Sequence, residues 1–159
     1  MVVANHNSAQ QIIISGNAEG LDGLSVLCEE KGAKIIQLPV SVANHSPLVA
    51  GAVADFTDYM NGITFNSPKI PILFNATAST AKDPSAIRTI MASQIASRVR
   101  WFESINLMLE DGVELFVELG PKKVLTGLMR KILPRKSPVK CVQADTPETL
   151  EKVVSAIAG

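Results

Sequence analysis

From Pro39 onward, short apolar runs that read as strands alternate with segments whose apolar residues recur at helical spacing. That alternation constrains the fold more than any other feature, because strands separated by helices must cross over, which favours a largely parallel sheet covered on both faces. The helical segments carry Val49, Ala52, Val53, Phe56, Tyr59 and Met60, ending near Gly62; then Ile87, Ile90, Met91 and Ile95; then Trp101, Phe102, Ile105, Met108 and Leu109 before Gly112. Another runs from Gly120-Pro121 to about Leu133, and Thr146-Pro147 opens the last. Asp83-Pro84, like Thr146-Pro147, sets a capping side chain before a proline at the first helical position. Residues 70–75, 114–119 and 139–143 are the strand candidates between them.

Residues 1–38 follow another pattern. Two β-rich runs, 2–4 and 11–15, read as a hairpin across the polar connection Asn5-His6-Asn7-Ser8-Ala9. Leu21, Leu24, Leu27 and Cys28 repeat at helical spacing, Gly32 is a natural stop, and 33–38 reads as the next strand. Two strands, a helix and a strand form most of a ferredoxin-like unit without its opening strand and helix, so the chain is expected to begin in mid-domain.

Fifteen basic and fifteen acidic residues cancel, which gives no global reason to expect a nucleic acid or an anionic membrane as partner. No apolar run approaches the roughly 18 residues of a membrane span, and no basic segment precedes an apolar one at the N-terminus, so cytoplasm is the expected location. Cys28 and Cys141 stand alone and read as buried thiols. With two histidines, His6 and His45, and no His/Cys/Asp cluster at ligand spacing, no metal is expected.

Within 38–48, His45 lies between a strand candidate and a helix start. Ser46 is a good N-cap and Pro47 a good first helical residue, so the helix should begin directly after His45 and turn its unpaired N–H groups toward the ring. The positive end of the dipole disfavours an imidazolium and favours a neutral imidazole able to act as a base. These residues alone equally allow a histidine that merely ends a loop.

Several blocks occur in one order: Val3-Ala4-Asn5-His6-Asn7-Ser8, Gln11-Ile12-Ile13-Ile14-Ser15-Gly16, His45-Ser46-Pro47-Leu48, Val99-Arg100-Trp101, and Val117-Glu118-Leu119-Gly120-Pro121-Lys122-Lys123-Val124-Leu125-Thr126-Gly127-Leu128. In this order the chain resembles the C-terminal half of the malonyl-CoA:acyl carrier protein transacylases, over about residues 2 to 133. A complete member also carries a G-x-S-x-G nucleophile elbow. Here the nearest candidate, Gly23-Leu24-Ser25-Val26-Leu27, fails at its last position.

The resemblance implies an α/β fold in which residues 39–159 are the C-terminal part of a mostly parallel, helix-covered, α/β-hydrolase-like acyltransferase core. Residues 1–38 would then be the remainder of the ferredoxin-like small subdomain. It implies a Ser-His mechanism moving malonyl from coenzyme A to the thiol of an acyl carrier protein in fatty-acid synthesis. The coenzyme A thioester is a substrate, and no cofactor is expected. His45 matches the family's base, and the main-chain carbonyl of Gln94 the group that orients it. Asn5 and Asn7 match positions beside the acyl or coenzyme A portion, although asparagine is also common in tight connections. Asn44 stands where relatives shape the acyl pocket, often with Phe or Ser.

Lys122, Lys123, Arg130, Lys131, Arg135, Lys136 and Lys140 place seven positive charges within 19 residues. Carrier proteins are acidic, so Lys122, Lys123, Arg130 and Lys131 are carrier-docking candidates, while cations near a helix C-terminus account for much of the cluster equally well. The expected partners are malonyl-CoA, the carrier protein and an N-terminal half bearing the serine, without which the isolated chain should be inactive. A transacylase of polyketide synthesis or malonate decarboxylation, and a non-catalytic interaction domain, are the alternatives.

Overall fold

The computed structural model describes residues 1–158. The chain opens with a hairpin of β1 (Val2–Ser8) and β2 (Gln11–Ser15), followed by α1 (Ala18–Glu30). A 3-10 turn at Pro47–Val49 leads into α2 (Gly51–Asn61), and then come β3 (Leu73–Phe74), β4 (Ser79–Thr80) and α3 (Pro84–Ser93). A second 3-10 turn, Gln94–Ala96, precedes α4 (Trp101–Glu110). The remainder is β5 (Leu115–Leu119), α5 (Val124–Ile132), β6 (Lys140–Ala144) and α6 (Pro147–Ala158).

Local chemistry explains the helix starts. Asn17 caps α1 by accepting from the Gly20 N–H at 3.2 Å, and Asp83 caps α3 by accepting from the Ala86 N–H at 2.7 Å, with Pro84 at the first helical position. The cap of α5 comes from another element. Glu118, on β5, accepts from the Leu125 N–H (2.9 Å) and from the Thr126 N–H and hydroxyl (both 2.7 Å). Partial desolvation pushes the Glu118 carboxyl up, but hydrogen bonds from Thr126, Leu125 and Val124 outweigh it and hold the group below its ordinary range. Because α5 carries the chain from β5 to β6, those strands pair parallel, with Val117 opposite Val142.

The architecture is mixed α/β, and its sheets are small. Among the described residues there are three two-stranded sheets: β1–β2 and β3–β4 antiparallel, β5–β6 parallel. The largely parallel sheet expected from the alternation is thus represented within this chain by one pair. Segment 33–38 is not a strand; residues 31–42 are exposed throughout, and no neighbour offers them a ladder. An extended backbone becomes a strand only where such a partner exists. The 70–75 candidate contracts to Leu73–Phe74 for the same reason.

At the N-terminus the correction runs the other way. Asn5, His6 and Asn7, expected in a loop, lie in β1, and the turn itself falls at Ala9-Gln10. Register irregularities leave Ala4 and Asn7 without partners on β2, and both are buried. On its other side β1 meets Val99: the His6 N–H donates to the Val99 carbonyl at 2.9 Å, and the Val99 N–H to the Ala4 carbonyl at 2.7 Å.

The core includes Ala4, Met60, Ile87, Ala92, Ile105 and Met129. Much apolar surface stays outside it. No residue of α1 is buried, and of the stripe expected on the helix after His45 only Met60 is, while Phe56 and Tyr59 are exposed. Helical period creates an apolar face, but burial needs a neighbour. Cys28 and Cys141 are half-buried, and burial pushes the Cys141 thiol up, opposed by nearby Arg130. No described helix is long and apolar enough to cross a membrane.

Candidate functional site

Segment 43–48 is tied down by its own serine. Ser46, buried, donates its hydroxyl to the Ala43 carbonyl at 2.6 Å and accepts from the Leu48 N–H at 3.2 Å. Asn44 offers its carbonyl to the Ser15 hydroxyl at 3.1 Å, which joins this loop to the end of β2. His45 follows in the left-handed region, with φ 60°, a conformation that costs a non-glycine residue about 1–2 kcal/mol. Its N–H donates to the Ile95 carbonyl at 2.7 Å, which holds that backbone in place.

The ring is held from the same side. His45 Nδ1 lies 3.2 Å from the Gln94 carbonyl oxygen and 3.1 Å from that of Ser97. Two carbonyls can only accept, so Nδ1 carries the proton, and in the neutral imidazole the lone pair belongs to Nε2. The sequence placed the ring against helix N–H groups; instead its Nδ1 is engaged by the carbonyls of Gln94, in the 3-10 turn after α3, and of Ser97, just past that turn, and the next helix begins as 3-10 geometry before α2. The Leu48 N–H of that helix start donates to the capping Ser46 hydroxyl.

Ser97 escaped sequence reasoning although its carbonyl is as near to the ring as that of Gln94. Its own hydroxyl donates to the Ser93 carbonyl at 2.7 Å, and its N–H to the Gln94 carbonyl at 3.1 Å, so the two acceptors are rigidly related. A backbone role leaves no trace in side-chain identity. Asn5 and Asn7 come near this segment through β1, whose backbone bonds to Val99 lie two residues beyond Ser97.

The basic candidates are divided. Lys131 hydrogen-bonds through Nζ to Gln11 Oε1 on β2. Lys123 and Arg130 instead join Lys152 of α6 along a groove of about 280 Å³ that Thr126, Cys141 and Gln143 help to line, with no carboxylate in its wall. Lys122, at φ 70° in the turn before α5, stands outside that lining. Lys152 went unnoticed because its link to Arg130 exists only in space. Among the described residues no group of three or more His, Cys, Asp or Glu side chains could hold a metal ion.

Comparison with known proteins places the chain in a family. Residues 1–146 match the acyl transferase domain family. The malonyl CoA-acyl carrier protein transacylase of Bacillus subtilis is 35% identical over 156 residues, covering 98% of this chain and 48% of that protein. Among solved structures, an acyl-carrier-protein S-malonyltransferase from Bartonella henselae superposes with a TM-score of 0.91 at 32% identity, covering 99% of this chain and 50% of the other. A malonyl-transacylase solved in complex with its type II polyketide acyl-carrier protein superposes at 0.88, with 29% identity over 97% of this chain and 49% of that one. The chain thus spans about half the length of the curated relatives it matches.

Proposed function

The chain belongs to the acyl transferase domain family as a homologue of the malonyl-CoA:acyl carrier protein transacylases covering about half of that enzyme, and from that premise we propose that it supplies the base-bearing half of a Ser-His acyl-transfer site. The observation that carries this reading is the ring of His45, whose Nδ1 is fixed by two carbonyls while the Nε2 lone pair remains available.

In the complete site a serine hydroxyl on a G-x-S-x-G segment attacks the thioester carbonyl of malonyl-CoA while His45 Nε2 takes its proton. Collapse of the tetrahedral intermediate breaks the C–S bond, and the proton on Nε2 passes to the departing coenzyme A sulfur. The carrier thiol then attacks the acyl-serine, gives its proton to Nε2, and the serine oxygen regains a proton from the ring as it leaves. Carbonyls at Nδ1 orient the imidazole and stabilise its charge in both transition states, the task that hydrolases give to a carboxylate.

The same reading assigns residues 1–38 to the small subdomain and 39–159 to the large one, with the rest of the parallel sheet contributed by the nucleophile-bearing half. Asn5, Asn7 and Asn44 would border the acyl and coenzyme A portions. The Lys123, Arg130 and Lys152 groove would meet the acidic carrier, in the cytoplasm, as a step of fatty-acid synthesis. Because one similar structure holds a polyketide carrier, such a carrier is the second acceptor to assay.

Co-expression with the G-x-S-x-G half of a close relative tests the proposal. The chain alone should transfer no malonyl group and the pair should, with His45→Ala abolishing the gain. Transfer that survives His45→Ala would remove His45 as the base.

A further inference from the structure

Val99-Arg100-Trp101 stands out in the sequence, yet the acyl-transfer chemistry gives it no task. In the structure it lies beside Glu103, in the first turn of α4. Glu103 Oε1 accepts from Arg98 Nη2 at 2.6 Å, and Oε2 accepts from both Nε (2.7 Å) and Nη2 of Arg100. Arg100 reaches onward, donating from Nη1 to the Thr77 carbonyl at 2.7 Å and from its backbone N–H to the Asn75 carbonyl at 2.8 Å. Between the two arginines, Val99 exchanges backbone hydrogen bonds with β1. One carboxylate therefore gathers α4, the 75–77 loop and segment 97–100, which borders β1.

Energetics point away from a stability role. The three side chains keep between 31% and 43% of their surface exposed, and exposed ion pairs contribute little to stability. A carboxylate shared by two guanidinium groups, one of them using two nitrogens, does restrict geometry. The backbone so restricted begins at Ser97, whose carbonyl meets His45 Nδ1.

We propose that Glu103 is a positioning residue for the candidate base: by holding Arg98 and Arg100 it sets segment 97–100 and keeps the Ser97 carbonyl on the His45 ring. The proposal rests on the His45 reading for its catalytic meaning, but its structural content is separate. Glu103 touches neither His45 nor any reacting atom.

The test is the tautomer of His45, read from its ring nitrogen shifts in the 15N-histidine-labelled chain and assigned by comparison with His45→Ala. The unsubstituted chain should show one neutral tautomer, with the proton on Nδ1. Glu103→Gln, which keeps shape and removes charge, should move the shifts toward the average of two tautomers, while Glu103→Asp should restore part of the original pattern. Should Glu103→Gln fail to fold, Arg98→Gln removes only the more exposed arm and should give a smaller shift in the same direction. In the reconstituted enzyme Glu103→Gln should lower kcat several-fold with KM little changed. An unaltered His45 tautomer in a folded Glu103→Gln or Arg98→Gln chain overturns the proposal. Persistence of transfer in His45→Ala would instead defeat the base assignment, leaving the tautomer result interpretable by itself.

Discussion

Residues 94–105 and residues 31–42 are both twelve residues long with six apolar members, and their fates in the fold are opposite. The first segment exposes only Ile95 and Arg98, contributes fully buried Ile105, and holds the His45 ring. The second is exposed along its whole length, with Ile36 at 65% and Val40 at 63%. Apolar content made both segments candidates for burial. What separates them is a neighbour: β1, the 75–77 loop and His45 all bond to residues 94–100, whereas no strand pairs with 31–42.

The largest effect is expected at His45. In the reconstituted enzyme His45→Ala should slow malonyl transfer by about 10²- to 10⁴-fold, the usual worth of a general base, with the unfolding midpoint nearly unchanged. An equal loss of stability would make the ring a structural member of the well-tied region and erase its functional distinction. Next is Ile105→Ala, which should cost about 2–5 kcal/mol in urea unfolding, since the side chain has no exposed surface and leaves a cavity.

Asp83→Ala should cost about 1 kcal/mol, because the Ala86 N–H loses its side-chain acceptor at the start of α3, the helix that leads to the Gln94 and Ser97 carbonyls. Acid probes the Glu103 cluster more gently. Its carboxyl is held below the usual range by the hydrogen bond from Arg100, and Arg98 and His6 also act on it. A depressed folded-state pKa stabilises above the unfolded value and is lost as pH falls through the folded one. Stability should therefore decline through that acidic window, by under about 1 kcal/mol from this exposed cluster, and Glu103→Gln should flatten that part of the pH profile.

Smallest is Ile36→Ser, expected to change the stability of the chain by no more than about 0.5 kcal/mol. Its effect should appear instead as weakened binding to the nucleophile-bearing half, measured by titration of one half into the other. A cost matching that of Ile105→Ala would show the two segments to be equally buried and end the comparison.

What the sequence determined is local. Asp83-Pro84 and Ser46-Pro47 start their helices where they stand, because a cap bond spans two or three residues and needs nothing remote. Apolar spacing likewise located α3 and α4, and β5 and β6 fell within a residue or so of their expected runs. It also singled out His45 and the Gln94 carbonyl, through a resemblance carried by short contiguous blocks.

Tertiary structure decided the rest. The Ser97 carbonyl reaches His45 across 52 positions of chain, Lys152 joins Arg130 only because α5 and α6 both pack on β6, and Glu103 gathers segments that no spacing rule connects. The same holds for what did not form: 33–38 has strand composition and no strand, and the helix after His45 has an apolar stripe of which only Met60 is buried. The physical reason is common to all of these. The starts capped by Asn17, Ser46 and Asp83 are satisfied by neighbours along the chain, whereas the Glu118 cap of α5, ladders, buried faces and the second acceptor of a histidine are supplied by groups from other elements, and only the fold determines which groups arrive.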